Sequence, residues 1–392
     1  MKAPVAPAPS RLLFVDNLRT ALIALVVAGH LAITYGGVGD WYYREQGERS
    51  GLFPILAIPS GAFLMAFLLG LFSLMAGYFT VPAFDRKGPA GFLLDRVKRL
   101  AIPLVLYEAI LNPIIIYVRN VHEGYGGSFP DSLRVYFSPL KSFADGPVWF
   151  LAMLLFFSVV YAAWRCLEAA LLKATDKSRP EDSLKRDLPG NGAIALFTLA
   201  MGLATWVVRI WSPAGKIYEP WHQEPAHYPQ YVAMFVLGLF AYRRNGFSAF
   251  PESQARLWRR LIPVLVIAFG GVAAAAGAFS GKLDERAGGG FHWQSLAYAV
   301  WEAGVCVALS LVALTWFRKR FFRQGRWTRS MASAAFGVYV LHPAIIVPLT
   351  IALSGIRLNL GLKFLLVTPI ALGLCFLVSL LLGKMPGLKN IL

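Results

Sequence analysis

Arg19 and His30 stand eleven residues apart in the first long apolar run of the chain. In a helix, eleven steps of about 100° return almost to the starting direction, so the guanidinium and the imidazole share one face, three turns and roughly 16 Å apart. A titratable ring at that depth of a hydrocarbon core about 30 Å thick is costly unless it faces an internal cavity, which makes it a functional candidate. With an ordinary pKa near neutrality, a His suits general base chemistry, in which a hydroxyl is activated for attack. The alternative is a core His bonded to a neighbouring helix.

A second basic motif, Arg96-Val97-Lys98-Arg99, precedes another apolar run. Arg96 and Arg99 are i,i+3 neighbours on a helix, and two guanidinium forks facing one way match phosphate geometry better than ammonium groups do. An ordinary membrane-flanking cluster in contact with lipid headgroups is the plainer alternative. Asp16, one turn before Arg19, pairs with an Arg in the expected structure. Glu108 and Glu302 fall inside apolar runs, where each would orient His30, satisfy a polar cavity, or pair with Arg209 or another cation. His342, just before Pro343, reads as a bonded structural or orienting His. Aromatic residues gather between other runs: Trp41, Tyr42 and Tyr43, then Trp221, His222 and His227, then His292 and Trp293, with Trp149 opening a further run. Such rings belong at a membrane interface, or form a platform on which a sugar-like acceptor packs its C–H faces.

The elements that position these residues follow from composition. The chain has 392 residues, 57% hydrophobic and only 15% charged, with a mean hydropathy of +0.56; a soluble domain is about 25% charged. The fold class is therefore all-α, a polytopic transmembrane helical bundle. Ten apolar stretches are long enough to span, at about 19–37, 53–80, 100–118, 147–172, 192–211, 228–243, 261–280, 294–317, 331–353 and 364–384. Sorted between alternate connections, 27 of the 38 Lys and Arg residues fall on the side of the N-terminus. By the positive-inside rule both termini are cytoplasmic, and the net charge of +17 reflects topology. That inner face would attract anionic lipid headgroups and an anionic cytosolic ligand.

Residues 1–10, rich in Pro and Ala, read as a disordered cytoplasmic leader, and the run after them as a retained helix instead of a signal peptide. Residues 11–392 read as one transmembrane domain. The charged segment 174–191 is a linker, and one that would divide the bundle into two halves. No internal repeat is visible, which disfavours an inverted-repeat transporter. Cys166, Cys306 and Cys375 lie apart in apolar runs as small core residues. Neither a metal site nor a nucleic-acid binder is indicated, since no His/Cys ligand spacing appears and the basic charge follows the spans.

Five motifs in order give the chain a resemblance: Asp16-x-Leu18-Arg19 with His30; Gly77-Tyr78-Phe79; Arg96-x-x-Arg99 followed by Pro103; Gly146-Pro147-Val148-Trp149-Phe150-Leu151; and Gly337-Val338-Tyr339-Val340-Leu341-His342-Pro343. Together they resemble the acyltransferase 3 family of integral membrane acyltransferases, which includes glucan succinyltransferases and O-antigen or peptidoglycan O-acetyltransferases. The resemblance implies transfer of an acetyl or succinyl group from cytosolic acyl-CoA to a hydroxyl of a carbohydrate-like or glycan acceptor across a bacterial inner membrane. One departure is Ala76, where members of that family commonly carry Ser.

Within that scheme His30 is the expected catalytic base, and Arg19, Arg96 and Arg99 hold the phosphates of acyl-CoA. Asp16, Glu108, Glu302 and His342 support or orient, while Trp41, Trp149, Trp221 and His222 face the acceptor, with no metal required. The rival function is a secondary transporter or flippase for a sugar-linked or lipidic anion, in which His30 and the intramembrane Glu residues relay protons.

Overall fold

The computed structural model describes residues 11–36, 39–47, 52–138, 146–175, 188–218, 223–275, 277 and 285–388. The expected leader, residues 176–187 of the linker, Trp221 and His222 lie outside the described residues. Within them the chain is helical and carries no strand: α1 (Leu13–Gly36), α2 (Leu52–Arg96), α3 (Ile102–Leu106), α4 (Asn112–His122), α5 (Phe129–Tyr136), α6 (Trp149–Ala174), α7 (Asn191–Arg209), α8 (Tyr228–Arg243), α9 (Gly246–Ala249), α10 (Glu252–Ala275), α11 (Trp293–Arg320), α12 (Arg326–Ala352) and α13 (Leu360–Leu382).

Among the described residues eight helical runs are long and apolar enough to cross a membrane. The difference from ten spans has two causes. One run, Pro59–His122, is 64 residues long; at 1.5 Å per residue it would be about three bilayer cores in length if straight. It doubles back at Gly88, whose φ of 68° lies in the left-handed region that favours glycine, with Pro89 following. Across this reversal Lys87 pairs with Asp95 at 2.7 Å and the rings of Phe84 and Phe92 meet at 5.5 Å. The second and third predicted spans are therefore the two arms of one hairpin. The tenth element is α8, only 16 residues long.

Without water to expel between helices, spans in lipid associate through close backbone approach. At the crossing of α2 and α8, a Cβ on Gly77 would lie 2.0 Å from the Phe235 carbonyl oxygen, and one on Gly238 would lie 2.2 Å from that of Leu74. The Gly77-Tyr78 motif is thus a packing device that lets α8 lie against α2. Gln230 of α8 reinforces it by donating to the Ala66 carbonyl at 2.7 Å.

The linker does not divide the bundle. One apolar core joins α1, α4 and α6 to α12 and α13, and a second joins α1 and α2 to α7, α8 and α11. Segments that the span count assigns to one side do meet there. Asn17 donates to the carbonyls of Phe321 and Arg323, Arg165 to Asp85, and Arg318 to the carbonyls of Ser248 and Phe250. At the opposite end Lys363 pairs with Glu45, and Tyr42 donates to Asn112.

Candidate active site

Along α1, Arg19, Ile23, Val26, His30 and Ile33 recur at steps of four, three, four and three, and all five line one cavity of about 2000 Å³. Arg96, Lys98 and Arg99 contribute to the basic end, and Asp40, Arg44, Arg119 and Glu224 to the opposite end. One space thus follows α1, with His30 between Arg19 and the residues of the opposite end.

At the basic end Asp16 accepts from Arg11 Nε at 2.6 Å and lies 3.8 Å from Arg19 Nη1. Arg19 keeps its side chain 40% exposed. Arg96 and Arg99 do not stand together as α-helical i,i+3 neighbours, because Val97–Ala101 is a π-helical turn with a wider period. The Arg96 guanidinium lies over the Phe92 ring at 4.9 Å, its Nε buried and without a partner among the described residues. Arg99 Nε donates to Asp95 at 3.1 Å. Both still face the cavity.

The geometry around His30 fixes its protonation pattern. His342, on the most deeply buried span, has Nδ1 at 2.6 Å from the Tyr339 carbonyl and Nε2 at 2.9 Å from His30 Nδ1. A carbonyl oxygen only accepts, so Nδ1 of His342 carries the hydrogen, and in the neutral ring Nε2 accepts. The hydrogen between the two rings therefore belongs to His30 Nδ1. His30 Nε2 is left with its lone pair, which is the state a general base requires.

Residues of the two later motifs build the frame for this pair. Tyr339 donates its hydroxyl to the Pro147 carbonyl. Gly146, with φ of 141°, leaves room where a Cβ would meet the hydroxyls of Tyr42 and Tyr107 at 2.3 and 2.9 Å. Those hydroxyls bond each other at 2.8 Å, and Tyr42 also donates to Asn112 Oδ1 at 2.6 Å. Asn112 and Tyr136 in turn each donate to Glu108 at 3.0 Å. The partner on His30 Nδ1 is thus an imidazole, and the Glu108 carboxylate braces the segment that carries Tyr42.

Glu302 belongs to another cluster. Arg209 Nη2 donates to it at 2.5 Å and His227 Nδ1 lies 2.8 Å from its other oxygen, while His227 Nε2 lies 3.2 Å from Glu224. Of the three roles open to Glu302, pairing with Arg209 is the one realised. His227, in the turn before α8, loses solvation on burial, but Glu302 and Glu224 outweigh that cost and push its pKa up to about 9.

Trp41, Tyr42 and Tyr43 do not form an interfacial belt. Tyr42 and Tyr43 are buried, and the segment 39–47 folds back into the bundle, held by Glu45 N–H to the Thr34 carbonyl at 2.9 Å and by the buried Glu45–Lys363 pair. Trp41 stacks on His30 with ring centres 3.9 Å apart and planes 13° apart, and lies parallel to His342 at 5.9 Å. Trp149 is partly buried against Phe150 and Tyr231 and lines the cavity. Nothing local in the sequence indicated the hydroxyl network of Tyr42, Tyr107 and Tyr136. The nearest signal was the Gly146-Pro147 pair, a dipeptide that marks a turn.

A bundle of apolar spans around a cavity that carries a paired imidazole defines a multi-pass membrane protein with the parts for proton transfer to or from a bound substrate. The chain belongs to the acyltransferase 3 family: that family's model, described as an acyltransferase domain, matches residues 12–384. The protein is therefore a membrane acyltransferase. No curated protein and no solved structure matches the chain.

Proposed function

We propose that this acyltransferase moves an acyl group from cytosolic acyl-CoA to a hydroxyl of a carbohydrate-like acceptor on the outer side of a bacterial inner membrane, with His30 as general base. The observation that carries this is the single cavity lined by Arg19, Arg96 and Arg99 at one end, by His30 within, and by residues of the opposite loops at the other. The basic end is cytoplasmic by the bias of 27 of 38 Lys and Arg residues toward that side, which puts both termini inside. CoA phosphates would bind the three Arg residues while the pantetheine arm rises along α1; three helical turns, about 16 Å, separate Arg19 from His30. The acceptor descends from the other end, past Trp149.

In the reaction, the acceptor oxygen forms a bond to the thioester carbonyl carbon as its proton passes to His30 Nε2. The carbonyl π pair moves onto oxygen. When it returns, the C–S bond breaks and the CoA thiolate takes the proton from His30. His342 acts as a positioning residue, holding the hydrogen on His30 Nδ1 throughout.

Acetyl-CoA suits the cavity better than succinyl-CoA. Val26 and Ile33 flank His30 on α1, and Phe72 of α2 and Phe150 and Leu151 of α6 line the same cavity. Bringing a second carboxylate into such surroundings costs several kcal/mol unless a cation meets it. Ala76 lines the cavity as well, so the hydroxyl common at this place in the family is replaced by a methyl group. Purified protein in vesicles, given radiolabelled acetyl-CoA and an oligosaccharide acceptor, should release CoA and acetylate the sugar, faster than with succinyl-CoA. Proton-coupled movement of an anion without acyl transfer would instead establish the transporter function.

A further inference from the structure

The Trp41 indole carries a hydrogen-bond donor and no acceptor. Its Nε1 is buried and has no partner among the described residues, although the ring lines the cavity and stacks on the proposed base at 3.9 Å. Leaving a buried donor unpaired is costly, so an orphan at this place calls for a group that arrives later. The surrounding segment holds the ring still: Tyr42, its neighbour, is bonded to Tyr107 and Asn112, and Glu45 is locked to Lys363. A donor held beside the base by anchored neighbours is the kind of group that stabilises charge developing in a transition state.

We propose that the Trp41 Nε1–H donates to the carbonyl oxygen of the transferring acyl group, as an oxyanion-stabilising catalytic residue. This deepens the function proposed above and rests on it. Because the indole covers one face of the His30 ring, substrates approach Nε2 in the plane of the imidazole. The acceptor hydroxyl occupies that line, with the thioester carbon beside it. As the acceptor oxygen bonds to carbon and its proton moves to His30, negative charge gathers on the carbonyl oxygen, where the indole N–H meets it. Collapse restores the C=O bond, expels the CoA thiolate and returns the proton from His30 to sulfur. The N–H thus serves the step common to transfer and to donor hydrolysis, whatever the acceptor.

Trp41→Phe retains a ring to stack on His30 and removes the donor. We expect kcat for acyl transfer to fall between tenfold and a thousandfold, with acyl-CoA hydrolysis falling in parallel and KM for acceptor and donor within threefold of wild type. Replacing Trp41 by benzothienylalanine, which has the same shape with sulfur in place of N–H, should give the same loss. That variant keeps the test decisive if Trp41→Phe folds poorly. A kcat within threefold of wild type in the benzothienylalanine protein overturns the proposal. So does a change confined to acceptor KM, which would make Trp41 a platform for the sugar. Wild-type protein that neither transfers nor hydrolyses the acyl group would overturn the underlying function as well, whereas active wild type with an undiminished variant removes the Trp41 donor alone.

Discussion

His342 Nε2 lies 2.9 Å from His30 Nδ1, joining α12 to α1 across 312 positions of sequence. Since His342 Nδ1 must donate to the Tyr339 carbonyl at 2.6 Å, the pair has one neutral arrangement, and it exposes a lone pair on His30 Nε2. A carboxylate in the place of His342 would hold the same tautomer but add a charge to be desolvated; the neutral ring avoids that cost.

His342→Ala frees His30 to adopt either tautomer. We expect kcat to fall about 10- to 100-fold, the usual scale for losing the partner that orients a functional His, with donor affinity unchanged. His342→Gln, whose side-chain oxygen can accept from Nδ1–H, should recover part of the loss. Equal activity in wild type and His342→Ala would show that the pairing is only structural.

The basic end should account for donor affinity. Arg96→Ala and Arg99→Ala should each weaken CoA binding by about 1.5–3 kcal/mol, the scale of a charge-assisted hydrogen bond, or roughly 10- to 150-fold in Kd. Calorimetric titration with CoA measures this directly. Affinity unchanged in both variants would assign the cluster to lipid headgroups.

Gly77→Ala tests the packing at the crossing of α2 and α8. A methyl group there would lie 2.0 Å from the Phe235 carbonyl oxygen, backbone that cannot turn aside as a side chain does. A destabilisation of about 1–3 kcal/mol is expected, read as a lower melting temperature in detergent. Unchanged melting would mean that the helices separate there at little cost.

His227 predicts a pH dependence of stability. Its pKa rises on folding from an ordinary 6.5 to about 9, so the folded state favours the protonated ring between Glu302 and Glu224. The stabilisation is complete below pH 6.5 and is lost as pH rises through about 9; its full extent is on the order of 3 kcal/mol. Melting temperature should drop between pH 6.5 and pH 10 in wild type. His227→Asn should melt lower at pH 6.5 and show a flatter profile; a flat wild-type profile would contradict the charge assignment.

Local periodicity made some of this visible in the sequence and hid the rest. The step from Arg19 to His30 is a property of one helix, and both residues do line one cavity. The apolar runs were also legible, because length and hydropathy set them. The reversal at Gly88, which makes two arms of one run, and the shortness of α8 together reconcile ten such stretches with eight helical runs. What was not legible depends on contacts between distant segments. Glu302 looked as available to His30 as to Arg209 until α7 and α11 came together, and Trp41 read as an interfacial ring or an acceptor platform, not as a ring stacked on His30, because sequence cannot show a loop folding inward. The π-helical turn at Val97–Ala101 likewise turned an expected Arg pair into two side chains with separate neighbours.

The most direct measurement is single-turnover acyl transfer by His30→Ala, made alongside CoA titration of the same protein. Removing a base raises the barrier without removing the donor's contacts. We expect CoA affinity within threefold of wild type and transfer reduced at least 10²-fold. Full transfer by His30→Ala, with donor and acceptor saturating, would contradict His30 as the base.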